Sequence, residues 1–546
     1  MYSAYHQMHL RKDKDLSSVS IRTNTKLKIR EKKFMGIAHE RIINDLPDEK
    51  AFLINHSLLG IKDANILSFR LKENSQHLID ETSVQKLLFL LNNSDMSLVK
   101  FGIYVTRKYF KDKLKNEPVA ASIEHGYTID QFISMNIFQM FITIVTTQLP
   151  NEQCVLFEVL WTLLNLSNYP SSYGGEPYAY YSLIFSAEYI GVYKNVLSSP
   201  TAPIEIVDLL YQLLYNVSID NERIRTVIKE EKFVDLSMNI LNRFANHSNV
   251  NQNIFRFLSN ITQDYNKLST SEAIFYFEIF KAPIPLITSE NDGTPLICLV
   301  ALRNLSKINS SSFLLNFISF QTAKHLIDLI LHEILHESNI IIFIIEILSE
   351  LIMCDNSIIH NTLYKWNIIA LYKQVLSHVD KEFSSFGNEI KKEIVMSLAN
   401  ITMYIPNAAF DIANDNDMLG LIIKHFDSSE YALRKFTALF MMYLFDYVSL
   451  TVFSKVHLVL NTLIEHLALE TSEEILSALA CTVVSIINTA KRKLDGNGEG
   501  LAYIVEALKA KDIYGILSQK RIEGKEVVQH FQQLKLLLDD VMLNNK

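Results

Sequence analysis

The chain has 546 residues, 49% of them apolar and 21% charged, with 15 glycines and 11 prolines. So little punctuation excludes a β-rich fold, which needs a turn about every ten residues, and predicts helices joined by short polar corners. The net charge of −8 excludes a general affinity for nucleic acid.

Residues 1–45 are basic and contain no repeat, and their opening MYSAYHQMHLRKDKD lacks the apolar centre of a secretory signal. Residues 46–80 read as a polar linker. From 81 to 494 one pattern returns: an apolar helical stretch closes on Asn, followed by a small or apolar pair and a polar corner. It is written WTLLNLSN, LLYNVSID, RFLSNITQD, ALRNLSK and SLANITMY, with Asn165, Asn216, Asn260, Asn304 and Asn400 as its rungs. Glu350 and Tyr443 fall where two further rungs are due, and successive spacings run from 43 to 51 residues. Armadillo and HEAT units repeat every ~40–47 residues, so the chain reads as an all-α solenoid rather than a string of ordinary domains. DGNGEG at 495–500 breaks the pattern, and 495–546 forms a last repeat or cap.

In such a stack each repeat shares its core with its neighbours, and the last helix of each lines a concave groove. Amides recurring on that helix need partners. Two are open to them: the backbone of an extended peptide in the groove, or the helix's own corner, a role Asn fills well. Trp161 lies one turn before Asn165 on the same face, where its ring would receive the stem and charge of a peptide Lys or Arg.

Other chemistry finds little support. Cys154, Cys298, Cys354 and Cys481 lie far apart in apolar runs without metal-ligand spacing, which predicts buried reduced thiols. The richest apolar run, SNIIIFIIEILSELIM, is interrupted by Glu346, Ser349 and Glu350, so no membrane span is expected. HEILH places His332, Glu333 and His336 at zinc-protease spacing. In the repeat register, however, it ends a helix, where His suits the dipole, and no metal site is expected. GxxxxGKS/T, GxGxxG and GxSxG elements are absent. The sequence therefore predicts binding without catalysis or cofactor.

These residues, in this order, resemble the importin-α family. IRTNTKLKIREKK at 21–33 is similar to its importin-β-binding segment: Asn24, Leu27, Lys28 and Lys32 match, and Arg30 and Lys33 complete the basic run. VQKLLFLLNNSDMSLVKFGIYVTRKYF resembles its first armadillo unit, with Thr106, Arg107 and Lys108 in place of a basic turn. WTLLN reproduces its Trp-x-x-x-Asn pair, and Asp220, four residues after Asn216, matches the acidic position that receives a signal lysine. The resemblance implies a right-handed armadillo-repeat superhelix with a basic N-terminal segment, working as a nuclear import adaptor in cytoplasm and nucleus. Cargo signals would lie on Trp161, Asn165, Asn216, Asp220, Asn260, Asn304 and Asn400. An importin-β-like receptor would take the basic start. Residues 501–546 would meet an export factor, or would only seal the core as a capping repeat. No direct contact with nucleic acid or membrane is implied.

Departures from the family are equally specific. Gln212, Arg256, Val300, Met396 and Leu439 stand where further tryptophans are expected, and Arg256 would repel a cationic peptide. Glu346 and Glu350 add acid in the sixth rung, while Phe436 and Tyr443 remove the carboxylate and amide of a second cargo site. The basic cluster before Ile21 reads LSSVS, and a self-blocking triplet reads HER. The alternative function is an armadillo scaffold fixed in a larger assembly, its groove filled by a non-basic partner.

Overall fold

The structure is a computed structural model that describes scattered positions between 88 and 107, then residues 133–148, 152–167, 179–219, 221–284, 294–332, 338–379, 387–447, 453–492, 499–520 and 524–544. Among these residues every element is helical. The chain forms two compact units, 1–213 and 214–546.

In the first unit α1 (Ile137–Thr143) continues into a π-helical turn (Ile144–Gln148); α2 (Gln153–Ser167), α3 (Ala179–Ile184) and α4 (Ala187–Ser198) follow in the chain, and α5 (Ile204–Ser218) crosses the unit boundary. Two buried phenols tie these helices: Tyr189 Oη donates to the Phe138 carbonyl at 2.8 Å and Tyr193 Oη to that of Ile184 at 2.7 Å. Burial raises both phenol pKa values, so both remain donors throughout the neutral range.

The second unit repeats short helices. They are α6 (Glu222–Glu230), α7 (Phe233–Arg243) and α8 (Ser248–Ile261), then α9 (Thr270–Lys281) and α10 (Thr294–Ser306), then α11 (Ser311–Ser319), α12 (Thr322–His332) and α13 (Ser338–Met353). There follow α14 (Ser357–Lys365), α15 (Ile368–Val379) and α16 (Gly387–Tyr404), then α17 (Pro406–Asn414), α18 (Asn416–Ile423) and α19 (Tyr431–Tyr447). The chain ends with α20 (Phe453–Leu469), α21 (Glu473–Arg492), α22 (Glu499–Ala510), α23 (Ile513–Gln519) and α24 (Lys525–Asn544).

Local chemistry starts and turns these helices. Asn221, Ser310 and Asn356 cap α6, α11 and α14 by accepting from the backbone N–H groups of Ile224, Phe313 and Ile358. In three repeats the joint from first to second helix is made by a single left-handed residue, Lys232 (φ 59°), Gln321 (φ 57°) or Asn367 (φ 61°), whereas the α17–α18 joint is extended at Asp415. None of the three is glycine, so each of their joints stores about 1–2 kcal/mol of strain, which is how a chain so poor in glycine still turns this often.

The last helices α8, α10, α13, α16, α19, α21 and α24 pack in succession and carry the shared core. The segment Glu473–Lys491 of α21 is long and apolar enough by length and composition to cross a membrane. It is flanked by α19 and α24, however, and its hydropathy is that of a core helix covered by neighbours. Helix α24 closes the series with Val527, Phe531, Leu534, Leu538 and Val541 buried, and Gln532, Gln533, Lys535, Asp539 and Asp540 exposed.

A buried ion pair fixes one corner. The Arg225 guanidinium of α6 grips Asp264 through Nε and Nη2, both at 2.8 Å, and donates Nη1 to the Ser218 and Ile219 carbonyls that end α5 at 2.8 and 2.9 Å. Its fork therefore satisfies a helix end and a neighbouring carboxylate at once. Arg225→Met strands a buried carboxylate and is expected to cost about 3–5 kcal/mol in chemical denaturation, whereas adding Asp264→Leu recovers much of the loss.

Candidate binding groove

Every predicted rung inside the described residues lies near the end of a last helix: Asn165 on α2, Asn216 on α5, Asn260 on α8, Asn304 on α10, Glu350 on α13, Asn400 on α16 and Tyr443 on α19. The asparagines are buried, none more than 8% exposed. Two residues after each comes a hydroxyl: Ser167, Ser218, Thr262, Ser306 and Thr402 donate to the carbonyl three residues back at 2.6–2.9 Å. This bond closes the last turn and orients the hydroxyl oxygen. The next repeat uses that oxygen. Asn260 Nδ2 donates to Ser218 Oγ and to the Tyr215 carbonyl, both at 3.0 Å, and Asn304 Nδ2 donates to Thr262 Oγ1 at 3.2 Å. Of the two roles open to the amides, these atoms fill the inward one, extended from the asparagine's own corner to the corner of the preceding repeat. The signal in the sequence was the full triplet Asn-x-Ser/Thr, repeated as NLS, NVS, NIT, NLS and NIT.

The Trp161 face is covered from within. The Arg107 guanidinium lies 4.1 Å from the ring centroid, its Nε pairs with Glu158 at 2.6 Å, and Asn165 Nδ2 reaches the Arg107 carbonyl at 3.5 Å. Phe157 meets the ring edge-on at 5.4 Å. Arg107, Glu158 and Trp161 are all at least nine-tenths buried. The ring of Trp161 and the amide of Asn165, expected to stack on and capture a signal peptide, thus contact the protein's own Arg107, whose counter-charge is Glu158.

The acid expected in the sixth rung is similarly engaged, because Glu346 pairs with Arg303. Arg256 Nη1 bonds Asn253 Oδ1 at 3.1 Å, and Met396 is 3% exposed. Asp220 and the receptor-binding residues Asn24, Leu27, Lys28, Arg30, Lys32 and Lys33 lie outside the described residues, as do Glu333 and His336 of HEILH. Among the described residues no group of His, Cys, Asp and Glu is arranged to hold a metal; Cys298 and Cys354 are buried as expected, whereas Cys481 is only half-buried. Near the C terminus Lys511 is paired with Glu465 at 2.7 Å.

His360 on α14 does at the end of α13 part of what Arg225 does at α5. Its Nε2 bonds the Ile352 carbonyl at 2.9 Å, and its ring stacks on Tyr404 of α16 at 4.4 Å. Burial lowers its pKa, against the pull of the Ile352 and Cys354 carbonyls and of Asp355. The folded chain holds this ring neutral where the unfolded chain takes up a proton. Stability is therefore flat above the ordinary histidine value of about 6.5 and falls as the pH drops from there toward the lowered value. Urea unfolding followed from pH 7.5 to 5 should show this loss, and His360→Gln should remove that part of the slope. Trp161→Ala, which empties a packed site, is expected to cost about 3–5 kcal/mol of stability.

No protein-family model matches the chain, and no curated protein matches it. Solved structures do. An engineered protein from the Northeast Structural Genomics Consortium aligns over 84% of this chain and 98% of its own, with 16% identity and a TM-score of 0.61. A structure described by a conserved phosphorylation switch controlling the interaction between cadherin and beta-catenin aligns over 90% and 96%, with 11% identity and a TM-score of 0.60. A designed armadillo repeat protein in complex with the peptide (KR)4 aligns over 47% and 99%, with 14% identity and a TM-score of 0.37. In architecture the chain is an all-α armadillo-repeat solenoid.

Proposed function

We propose that this chain is a protein-binding armadillo scaffold whose groove takes a non-basic partner. The observation that carries the reading is Arg107: it covers Trp161, pairs with Glu158 and offers its carbonyl to Asn165. A lysine or arginine from a cargo signal would have to displace a buried, paired guanidinium from its own site. Breaking such a pair costs about 3–5 kcal/mol, more than the ~0.5–2 kcal/mol that one cation–π contact returns. The amides of Asn260 and Asn304 are likewise engaged within the stack. Binding rather than catalysis remains the reading.

A nuclear import adaptor, moving between cytoplasm and nucleus with an importin-β-like receptor, is the second reading. It is favoured by the segment IRTNTKLKIREKK, whose Asn24, Leu27, Lys28, Arg30, Lys32 and Lys33 suit ordering on an acidic partner. On that reading the C-terminal repeat would also meet an export factor. The amphipathic α24, buried on one face and mostly polar on the other apart from the exposed Leu536, fits a cap.

A titration separates the two. A monopartite lysine-rich peptide, an acidic peptide and an apolar peptide are measured against the full chain and against protein lacking residues 1–45. The scaffold reading expects no saturable binding of the basic peptide to either, and saturable binding of one of the other two. Micromolar, saturable binding of the basic peptide to the folded chain would install the adaptor reading, and a pull-down of an importin-β-type receptor that weakens steeply with salt would support it.

A further inference from the structure

The tie between consecutive last helices has two halves, a hydroxyl that ends one repeat and an amide that starts from the next. Where α8 follows α5 both halves are present as Ser218 and Asn260, and where α10 follows α8 they are Thr262 and Asn304. At α13 and α16 the amide survives as Asn400, but the position two residues after Glu350 is Ile352, which offers no hydroxyl. Asn400 Nδ2, 3% exposed as a residue, finds no hydrogen-bond partner. On the α13 side of the same junction Ser349 Oγ shares this state, while Tyr372 of α15 and Ser397 of α16 interact with each other inside one repeat. What joins α13 to α16 is therefore chiefly apolar packing, with Ile344, Ile345, Leu348 and Ile352 buried along α13.

We infer that the α13–α16 junction is a compliant joint of the second unit, where one repeat shifts against the next before the amide-tied α5–α8 and α8–α10 junctions yield. Apolar contact is non-directional and tolerates sliding, whereas an amide–hydroxyl bond fixes distance and angle. Arg225 bonds two carbonyls and a carboxylate at an amide-tied corner. The corner after α13 has His360 on the Ile352 carbonyl and Tyr404 ring instead. This inference does not depend on what fills the groove.

Hydrogen–deuterium exchange on the full chain tests it, comparing a peptide spanning residues 349–356 with one spanning 259–267. The first should exchange faster. Ile352→Thr restores the missing acceptor and should slow the first peptide by about two- to tenfold, the equilibrium factor of one net hydrogen bond. Thr262→Val removes an existing acceptor and should speed the second by a similar factor. Because Ile352→Thr also trims a packed side chain, a second pair keeps the test decisive: Asn304→Leu should loosen its junction and Asn400→Leu should not. Equal loosening by those two substitutions, or no response to a folded Ile352→Thr, would overturn the joint.

Discussion

A carbonyl at the end of a buried helix has to find a donor, and in a stack of helices the donors come from the helix's own last turn and from the next repeat. The last turn of an α-helix leaves four such carbonyls, and here the last helices end inside the stack. The protein answers with a relay in which a Ser or Thr hydroxyl donates back to the carbonyl three residues earlier and accepts from the asparagine of the following repeat. The relay fixes residue types at two positions and holds neighbouring helices in register. It also commits the amides. An asparagine whose donor is bonded inside the stack loses that bond if it turns to a ligand, so the groove's chemistry follows from how each rung is satisfied.

That constraint explains what could be read in advance. The rungs were legible because Asn in an apolar helix is unusual, and their spacing gave the architecture. The direction of the side chains was not legible, since an amide facing a groove and one facing a neighbour look the same along one chain. The hydroxyl two residues on carried that information. Trp161 illustrates the same limit. Trp-x-x-x-Asn places ring and amide on one face, but whether the face is open depends on Arg107, which lies 54 residues earlier and meets it only in the folded unit. Arg225 and His360 escaped notice for a related reason, because each acts on a carbonyl, and carbonyls have no letter in a sequence.

Arg107 and Arg303 are comparable in position. Arg303 directly precedes the rung Asn304, and the Arg107 carbonyl receives Asn165 as the carbonyl of Tyr215, which directly precedes the rung Asn216, receives Asn260. Both arginines are buried, and both pair with a glutamate on the following last helix, Glu158 or Glu346. A buried guanidinium with a carboxylate partner is hard to displace, because losing either member strands the other. Glu346, an acid that the sequence alone added to the sixth rung, is therefore neutralised before any partner arrives. Acid and base exchanged between neighbouring repeats in this way remove charge from the surface the stack presents. An open acidic slot would need a carboxylate at one of these positions without its arginine, and neither of these two pairs leaves one.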